Sequence, residues 1–265
     1  MMMLSPDERP LLLCRIELPQ HMAVDVDGWM PKHFDDSLDD KSVTSAASFS
    51  VLHNFDPVNG LPWLFNGHGN RFIVYFVNEI GDLISWIDGS SARNAIKDGA
   101  DREGAYPALD GEPFNGNIYL CSRVIKPLGV DFVGPTSLFI ERFDVGSGDD
   151  KEFTTWLEEA HADAVANVPG VLRVRTYRQN LDVPKRFPFD RYSGKGNRML
   201  MAELPVDCDL VDFVKRADVR SLLVDSVRWD LKLPYVRREV ANFQVLRNKE
   251  DARATFAQRR PETAK

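Results

Sequence analysis

Two histidines, His161 and His33, are the residues of this sequence best suited to proton transfer. An imidazole group titrates near neutrality, with an unperturbed pKa of about 6.5, so it can act as a general acid or a general base. His161 lies on the apolar stripe of a predicted helix, and His33 has the corresponding place in an earlier helix, beside Trp29. We expect both to be catalytic. The alternative for each is a core histidine bonded to a carbonyl oxygen.

A strand with alternating side chains carries the next candidate groups. The period of two places Arg173, Arg175 and Tyr177 on one face of this strand. There the arginines would stabilise a developing carboxylate, enolate or phenolate, and the tyrosine would orient the substrate. The alternative is that each arginine forms an ion pair with a glutamate. Three glutamates on other predicted strands are candidate partners: Glu141, Glu203 and Glu239.

Two long connections, residues 54–70 and 180–197, exceed the length of ordinary hairpin loops and are predicted lids over a binding site. The alternative is that their aromatic residues attach each loop to its own sheet. We predict substrate contacts from aromatic residues of these loops and of the two helices, namely Trp29, Trp63, His68, Trp156, Phe187 and Tyr192.

Several classes of cofactor and partner are not expected. The glycines near residues 67 and 194 lack the spacing of phosphate-binding loops, and the five histidines and three cysteines lack metal-ligand spacing. We therefore expect no cofactor and no metal. The net charge of −7 offers no attraction to nucleic acid or to an anionic membrane. The longest apolar stretch, residues 72–77, is too short to span a bilayer, and the first residues lack a signal peptide, so a cytoplasmic protein is expected.

An internal duplication organises the chain of 265 residues. Asn-Phe-Asp at residue 54 and Gly-His-Gly-Asn-Arg at residue 67 return as Asn-Leu-Asp at residue 180 and Gly-Lys-Gly-Asn-Arg at residue 194. Further matches keep the same order at offsets of 126 to 128. We predict one repeat over residues 1–130, a second over 131–248, and a disordered polar tail over 249–265.

The pattern within each repeat is strand, helix, strand, strand, helix, strand, which is the ferredoxin-like βαββαβ unit. In the second repeat, Asp149 or Asp150 caps a helix that Pro169-Gly170 ends. Its predicted apolar stripe comprises Phe153, Trp156, Leu157, Ala160, Ala164 and Val168. A sheet with helices on one face needs a cover for the other. The fold class is therefore α+β, with two repeats forming an intrachain pseudo-dimeric α+β barrel around a pocket, as a monomer or a homodimer.

The run Trp156-Leu-Glu-Glu-Ala-His161, followed by Val168-Pro-Gly and the strand with Arg175 and Tyr177, resembles a helix-to-strand segment of EthD-like proteins in the dimeric α+β barrel superfamily. The first repeat departs from this pattern, because Ser-Val stands at residues 42–43 in place of Pro-Gly. The resemblance implies small-molecule chemistry on aromatic or polyketide-like compounds, by lyases, isomerases, cyclases or cofactor-free oxygenases.

The predicted function is that of a cofactor-independent lyase or isomerase, in which His161, together with His33, performs general acid-base catalysis on an aromatic or other conjugated compound. Three alternatives stay open: a non-catalytic small-ligand-binding protein, a cofactor-free monooxygenase, and a haem protein on the same fold. The identity of the substrate does not follow from the sequence.

Overall fold

The structure is a computed structural model that describes residues 8–16, 30, 32–35, 37, 42–51, 71–90, 92, 94, 114–130, 136–185, 196–232 and 237–248. Several predictions fall outside these residues. They are the substrate contacts Trp29, Trp63, His68, Phe187 and Tyr192, the lid over residues 54–70, residues 186–195 of the second lid, and the polar tail 249–265.

Within the described residues, eight strands form a closed antiparallel barrel. They are β1 (Leu11–Ile16), β2 (Val43–Val51), β3 (Arg71–Val77), β4 (Phe114–Ile125), β5 (Thr136–Phe143), β6 (Arg173–Gln179), β7 (Arg198–Pro205) and β8 (Arg237–Asn248). Around the barrel they follow the order β1-β3-β2-β8-β5-β7-β6-β4. The first four strands therefore occupy one half of the barrel and the last four the other half. Pairing of β2 with β8 and of β4 with β6 closes it.

The helices described outside the barrel are α1 (Ile80–Asp88), α2 (Asp150–Trp156), a π-helical turn (Leu157–His161), α3 (Ala162–Ala166), α4 (Leu210–Lys215) and α5 (Ala217–Lys232). Met30, residues 32–35 and Ser37 are also helical. The segment from α2 to α3 follows the predicted helix, and Gly170 after it has a φ of 95°. Helices α4 and α5 follow one another between β7 and β8. A polar residue, Ser226, lies on the buried face of α5 and interrupts the apolar pattern.

The π-helical turn shifts the buried stripe of its helix by one residue. The α-helical period predicts Ala160 and Ala164 on the buried face, but Ala160 is exposed and Ala164 is only half-buried. The buried positions are instead His161, Ala162 and Val165. A π turn closes i→i+5 hydrogen bonds and so accommodates one extra residue. Because small alanines stand on both faces of this segment, the spacing of its apolar residues does not reveal the shift.

Side-chain alternation along the strands separates one core inside the barrel from two cores between the strands and the helices. On β5, Leu138 and Ile140 belong to the barrel core, whereas Phe139 packs with the helices. The barrel core contains Leu11, Leu13, Ala47, Val74, Tyr119, Leu138, Ile140, Tyr177, Met199 and Met201. None of the described helices is long and apolar enough to cross a membrane.

The Gly-Asn-Arg motif at residues 196–198, in the second predicted repeat, precedes strand β7 and forms hydrogen bonds with the segment that follows β5. Both the Oδ1 and the Nδ2 of Asn197 bond the backbone of Val145, at 2.8 Å each. Gly196 has a φ of 96°, and a Cβ atom there would stand 2.5 Å from Nη2 of Arg142. The motif therefore needs a glycine for backbone geometry and for close packing.

Candidate active site

Two clusters of polar side chains lie on opposite faces of the sheet in the second half of the chain. The helix-side cluster consists of Glu141, His161 and Ser226. The barrel-side cluster consists of Arg173, Arg175, Tyr177 and Glu203. Glu141 shares its strand face with Phe139, which packs with the helices, whereas Tyr177 belongs to the barrel core. The structure therefore does not bring His161 together with the arginines and Tyr177, although the predicted mechanism needs all of them at one substrate.

The helix-side cluster joins strand β5, the π turn and helix α5 through short hydrogen bonds. Nε2 of His161 lies 2.6 Å from Oε2 of Glu141, and Ser226 Oγ donates to Oε1 of Glu141 at 2.7 Å. Ser226 Oγ is also 3.2 Å from Nε2 of His161. The His161 and Glu141 side chains are 0% and 1% exposed. Nδ1 of His161 is buried, and no residue that the structure describes forms a hydrogen bond with it.

Trp156 packs flat against the imidazole of His161. The ring centroids are 4.4 Å apart and the planes are inclined by 21°. The indole Nε1 of Trp156 donates to Oδ2 of Asp225 at 2.7 Å. Asp225 thus bonds the indole of Trp156, and Ser226 bonds the carboxylate of Glu141. Two consecutive residues of α5 therefore position both groups that flank the imidazole. The substrate contact predicted for Trp156 is untested, but this ring does lie within the candidate site.

The π turn explains why Trp156 and His161 can stack. They are five residues apart, which in an α-helix of 3.6 residues per turn separates them by about 140° around the axis. In a π turn, residues five apart are joined by a backbone hydrogen bond, as the bond from Ala162 N–H to Leu157 O shows here. Residues five apart therefore lie on nearly the same side of the turn, and the imidazole reaches both Trp156 and Glu141.

A small crevice lies between the sheet and the helices beside this cluster, and its enclosed space is only about 10 Å³. Glu141 contributes to its wall. The remaining lining side chains that the structure describes are apolar: Phe139, Val165, Val168, Phe213, Val219 and Leu222. This space holds one water molecule at most, so a larger molecule could enter only if these side chains moved.

The arrangement of His161 and Glu141 is suited to proton transfer. A carboxylate at one ring nitrogen holds the proton on that nitrogen and orients the ring, which leaves a lone pair on the other nitrogen. Here Glu141 holds Nε2, so Nδ1 is the atom that can accept a proton. The carboxylate then stabilises the imidazolium that forms.

The barrel-side arginines form ion pairs with one glutamate, which confirms the alternative for Glu203. Nη2 of Arg173 is 2.6 Å from Oε2 of Glu203, and Nη1 of Arg175 bonds Oε1. Glu141, the second predicted partner, holds His161 instead, and the side chain of Glu239 lies outside the described residues.

Tyr177 is a buried donor inside the barrel. Its hydroxyl group has no hydrogen-bond partner within the part of the chain that the structure describes, and its ring meets that of Tyr119 edge-on with centroids 6.2 Å apart. Burial raises the pKa of Tyr177, only partly opposed by the nearby positive charge of Arg175. The phenol therefore remains protonated at neutral pH.

His33 lies in a different environment from His161. Its Nε2 bonds the hydroxyl group of Tyr75, a residue of the core between the strands and helices of the first half. The group beside His33 is thus a phenol, whereas His161 meets a carboxylate. Among the described residues, no three or more His, Cys, Asp or Glu side chains are placed to hold a metal ion.

The sequence did not identify Ser226 or Asp225 as residues of the site. It predicted Glu141 as a candidate ion-pair partner of the arginines. One signal was present, because Glu141 stands in the middle of the apolar strand Leu-Phe-Ile-Glu-Arg-Phe. A carboxylate in such a strand must find a partner when it is buried. The identity of that partner depends on contacts between residues distant in the chain.

No protein-family model and no curated protein matches the sequence. Solved structures do match it. An anthrone oxidase-like protein is 11% identical with a TM-score of 0.62, covering 92% of this chain and 94% of that one. A monooxygenase-like protein of Fusobacterium nucleatum subsp. nucleatum is 11% identical with a TM-score of 0.57, covering 91% of this chain and 95% of that one. A second such protein, of Lactobacillus acidophilus, is 12% identical with a TM-score of 0.50, covering 91% and 97%.

The chain has the dimeric α+β barrel fold. Identities this low show the α+β barrel alone, and a fold hosts many unrelated chemistries. The function must therefore be argued from the residues of the site.

Proposed function

We propose that this α+β barrel protein is a small-molecule enzyme that transfers a proton through His161, with Glu141 as its carboxylate partner and without a cofactor. One observation carries the proposal: a fully buried imidazole has one nitrogen held by a carboxylate, while the other nitrogen has no partner among the described residues. A buried polar atom without a hydrogen bond calls for an explanation, and a catalytic role is one.

The proposed substrate is a small aromatic or other planar conjugated compound, and side chains around the fully buried His161 must move for it to reach Nδ1. Nδ1 of His161 removes a proton from a carbon atom of the substrate, and the electron pair spreads into the conjugated system. Return of the proton at another carbon completes an isomerisation. Departure of a leaving group with the electron pair instead completes an elimination, which is lyase chemistry. In both cases Glu141 stabilises the transient imidazolium.

Cofactor-free oxygenation is the second candidate function, because solved structures with this fold include an anthrone oxidase-like protein and monooxygenase-like proteins. It starts with the same proton abstraction. The carbanion then reduces molecular oxygen and forms a peroxide at carbon. Loss of water from the peroxide breaks the O–O bond and leaves a ketone. Oxygen consumption in step with substrate loss would therefore distinguish this reaction from isomerisation and elimination.

The test is substrate deuteration, which reports proton abstraction whatever the final product. A panel of aromatic ketones and phenols is incubated in D₂O, and deuterium at carbon is followed by NMR. We expect His161→Ala to slow the exchange at least about 100-fold, as is typical when a general base is lost. His33→Ala is the matched variant, because it tests the second predicted proton carrier. Full exchange by His161→Ala would refute the role of His161, and a loss confined to His33→Ala would transfer it to His33.

The non-catalytic alternative has its own signature in the same experiment. Saturable binding of a panel compound with no deuterium exchange, unaffected by His161→Ala, would identify a ligand-binding protein. The haem alternative needs a histidine ring nitrogen that can face iron. Nδ1 of His161 is such an atom, because Glu141 holds Nε2 and no described residue bonds Nδ1. A Soret absorption band after addition of haem to the purified protein would therefore favour the haem alternative over the proposed enzyme.

We also propose that the barrel is a pseudo-dimer of two related units, residues 1–130 and 131–248. The strand order supports this, because β4-β1-β3-β2 in one half corresponds to β8-β5-β7-β6 in the other. The repeated sequence motifs give independent support. Co-expression of the two units as separate chains should yield a one-to-one complex, and failure to associate would count against separable units.

A further inference from the structure

Arg123 of strand β4 bonds the π turn that carries His161. Its Nη1 donates to the backbone carbonyl oxygen of Glu158, inside the turn. Nη1 and Nη2 also donate to the two carboxylate oxygens of Asp163, at 3.1 and 2.9 Å. Glu158 precedes His161 in the chain and Asp163 follows it. One guanidinium group therefore joins the segments on either side of the histidine.

A β-bulge in β4 directs Arg123 towards this turn. Cys121 packs against the barrel core and pairs with Tyr177, whereas Arg123 pairs with Thr176, so Ser122 is an extra residue in the strand. Strict alternation would place residues 121 and 123 on the same face. The bulge reverses this, because Thr176 is the neighbour of Tyr177 on β6 and faces the opposite way. Arg123 therefore points to the helices and not into the barrel.

The π turn presents the carbonyl oxygen of Glu158 to this arginine. In an α-helix the N–H of Ala162 would donate to the oxygen four residues back, that of Glu158. Here the same N–H donates to Leu157 O, five residues back. Arg123 thus donates to the oxygen whose α-helical partner bonds elsewhere. Residues five apart, such as Glu158 and Asp163, lie on nearly the same side of a π turn, whereas an α-helix would separate them by about 140°.

We propose that Arg123 is a positioning residue, which stabilises the π turn and thereby holds the imidazole of His161 against Trp156 and Glu141. Without Arg123 the turn can revert to α-helical hydrogen bonds, and this winding would rotate His161 away from Trp156 by about 140°. Arg123 lies in the first predicted repeat and His161 in the second, so the first half of the barrel completes a site in the second half. The inference rests on the proposed function only for what the oriented ring does.

NMR of the full-length protein with labelled histidine tests the orientation of the ring. The indole of Trp156 lies 4.4 Å from the imidazole of His161, so its ring current should shift the carbon-bound ring protons of His161 upfield. His161→Gln identifies these signals by their loss. Arg123→Gln should move them downfield, towards the positions of an unstacked histidine. Because the side chain of Arg123 is 36% exposed, its replacement leaves no cavity in a core.

Two lysine variants separate geometry from charge. Arg123→Lys keeps the positive charge but lacks the planar fork that bonds both Glu158 and Asp163, so it should also move the His161 signals downfield. Arg198→Lys is the matched control. Arg198 of β7 pairs with Asp150 of α2, on the same helical segment but outside the π turn, and its replacement should leave the His161 signals unchanged.

Deuterium exchange into a panel compound measures the consequence for proton transfer. We expect Arg123→Gln and Arg123→Lys to slow the exchange about 10- to 100-fold, because displacing a reacting group by about 1 Å has an effect of this size. Arg198→Lys should exchange at the wild-type rate. Unchanged exchange in Arg123→Gln would overturn the positioning role, even if the His161 signals moved.

Three NMR results would also overturn the inference. Unmoved His161 signals in Arg123→Gln would show that the turn does not need the arginine, and unmoved signals in Arg123→Lys would show that charge alone suffices. An equal shift in Arg198→Lys would show that the effect is not specific to the turn. Shifted signals in a protein that catalyses no exchange would sustain the orienting role of Arg123 and refute the proposed enzyme.

Discussion

Replacing Tyr177 by Phe tests whether the barrel-side tyrosine is a donor without a partner. The substitution removes only a hydroxyl group that forms no hydrogen bond with any described residue, and it leaves the ring in the barrel core. We expect the free energy of unfolding at pH 7 to stay the same or to rise by up to about 1 kcal/mol, because no bond is lost and an unsatisfied polar group disappears. Tyr119→Phe is the matched control. Its hydroxyl group donates to Gly196 O and accepts from Arg142 Nε, so its loss should cost about 1–3 kcal/mol.

Alkaline pH should increase the advantage of Tyr177→Phe. Burial raises the pKa of Tyr177 in the folded protein, whereas the unfolded chain has the ordinary value of about 10. Below pH 10 both states keep the proton, and the tyrosine makes no difference to the pH dependence. Above pH 10 the unfolded state ionises first, so the wild-type protein loses stability as the pH rises. At pH 11 this loss is about 1.4 kcal/mol, and Tyr177→Phe lacks it.

Urea unfolding of the wild type and both variants, followed by far-ultraviolet circular dichroism from pH 7 to 11, measures these differences directly. The wild-type curve should diverge from that of Tyr177→Phe only above pH 10, and Tyr119→Phe should remain the least stable at pH 7. A loss of more than about 1 kcal/mol in Tyr177→Phe at pH 7 would show that the hydroxyl group is bonded, and the reasoning would fail.

Three further substitutions test other contacts by urea or thermal unfolding. Ser226→Ala removes the donor to Oε1 of Glu141 and should lower the free energy of unfolding by about 1.5–3 kcal/mol; an unchanged midpoint would contradict this bond. Gly196→Ala places a Cβ 2.5 Å from Arg142 Nη2 at a φ of 96°, so a loss of at least about 1 kcal/mol is expected, and a more stable variant would refute the packing. Glu203→Gln removes the negative charge that both guanidinium groups contact and should cost about 3 kcal/mol; wild-type stability would show that the two ion pairs with Glu203 are unimportant.

Local patterns in the sequence predicted much of the secondary structure. Alternation predicted strands near β5, β6 and β7, and the Pro-Gly pair correctly predicted the end of the helix that carries His161. These features depend on neighbouring residues, whose types constrain the backbone directly. The same alternation correctly predicted that Arg175 and Tyr177 share a strand face opposite Val174.

Local patterns in the sequence did not predict the π turn or the hydrogen-bond partners within the helix-side cluster. The π turn leaves no apolar signature because Ala160 and Ala162 suit either face of the helix. The partners in the helix-side cluster are far apart in the chain: His161 lies 20 residues from Glu141, and Ser226 lies 85 residues from it. Nothing in the spacing of such residues specifies a hydrogen bond between them.

The amino-acid sequence alone therefore determined the strands, the first helix of the second half, and the candidate groups His161, Arg175 and Tyr177. The tertiary structure decided that the histidine and the arginine lie on opposite faces of the sheet. The physical reason is that the alternation of side chains along a strand divides them between two faces but does not show which of these faces the helices cover. Only the packing of Phe139 and its neighbours against the helices made one face the wall of the crevice and the other the interior of the barrel.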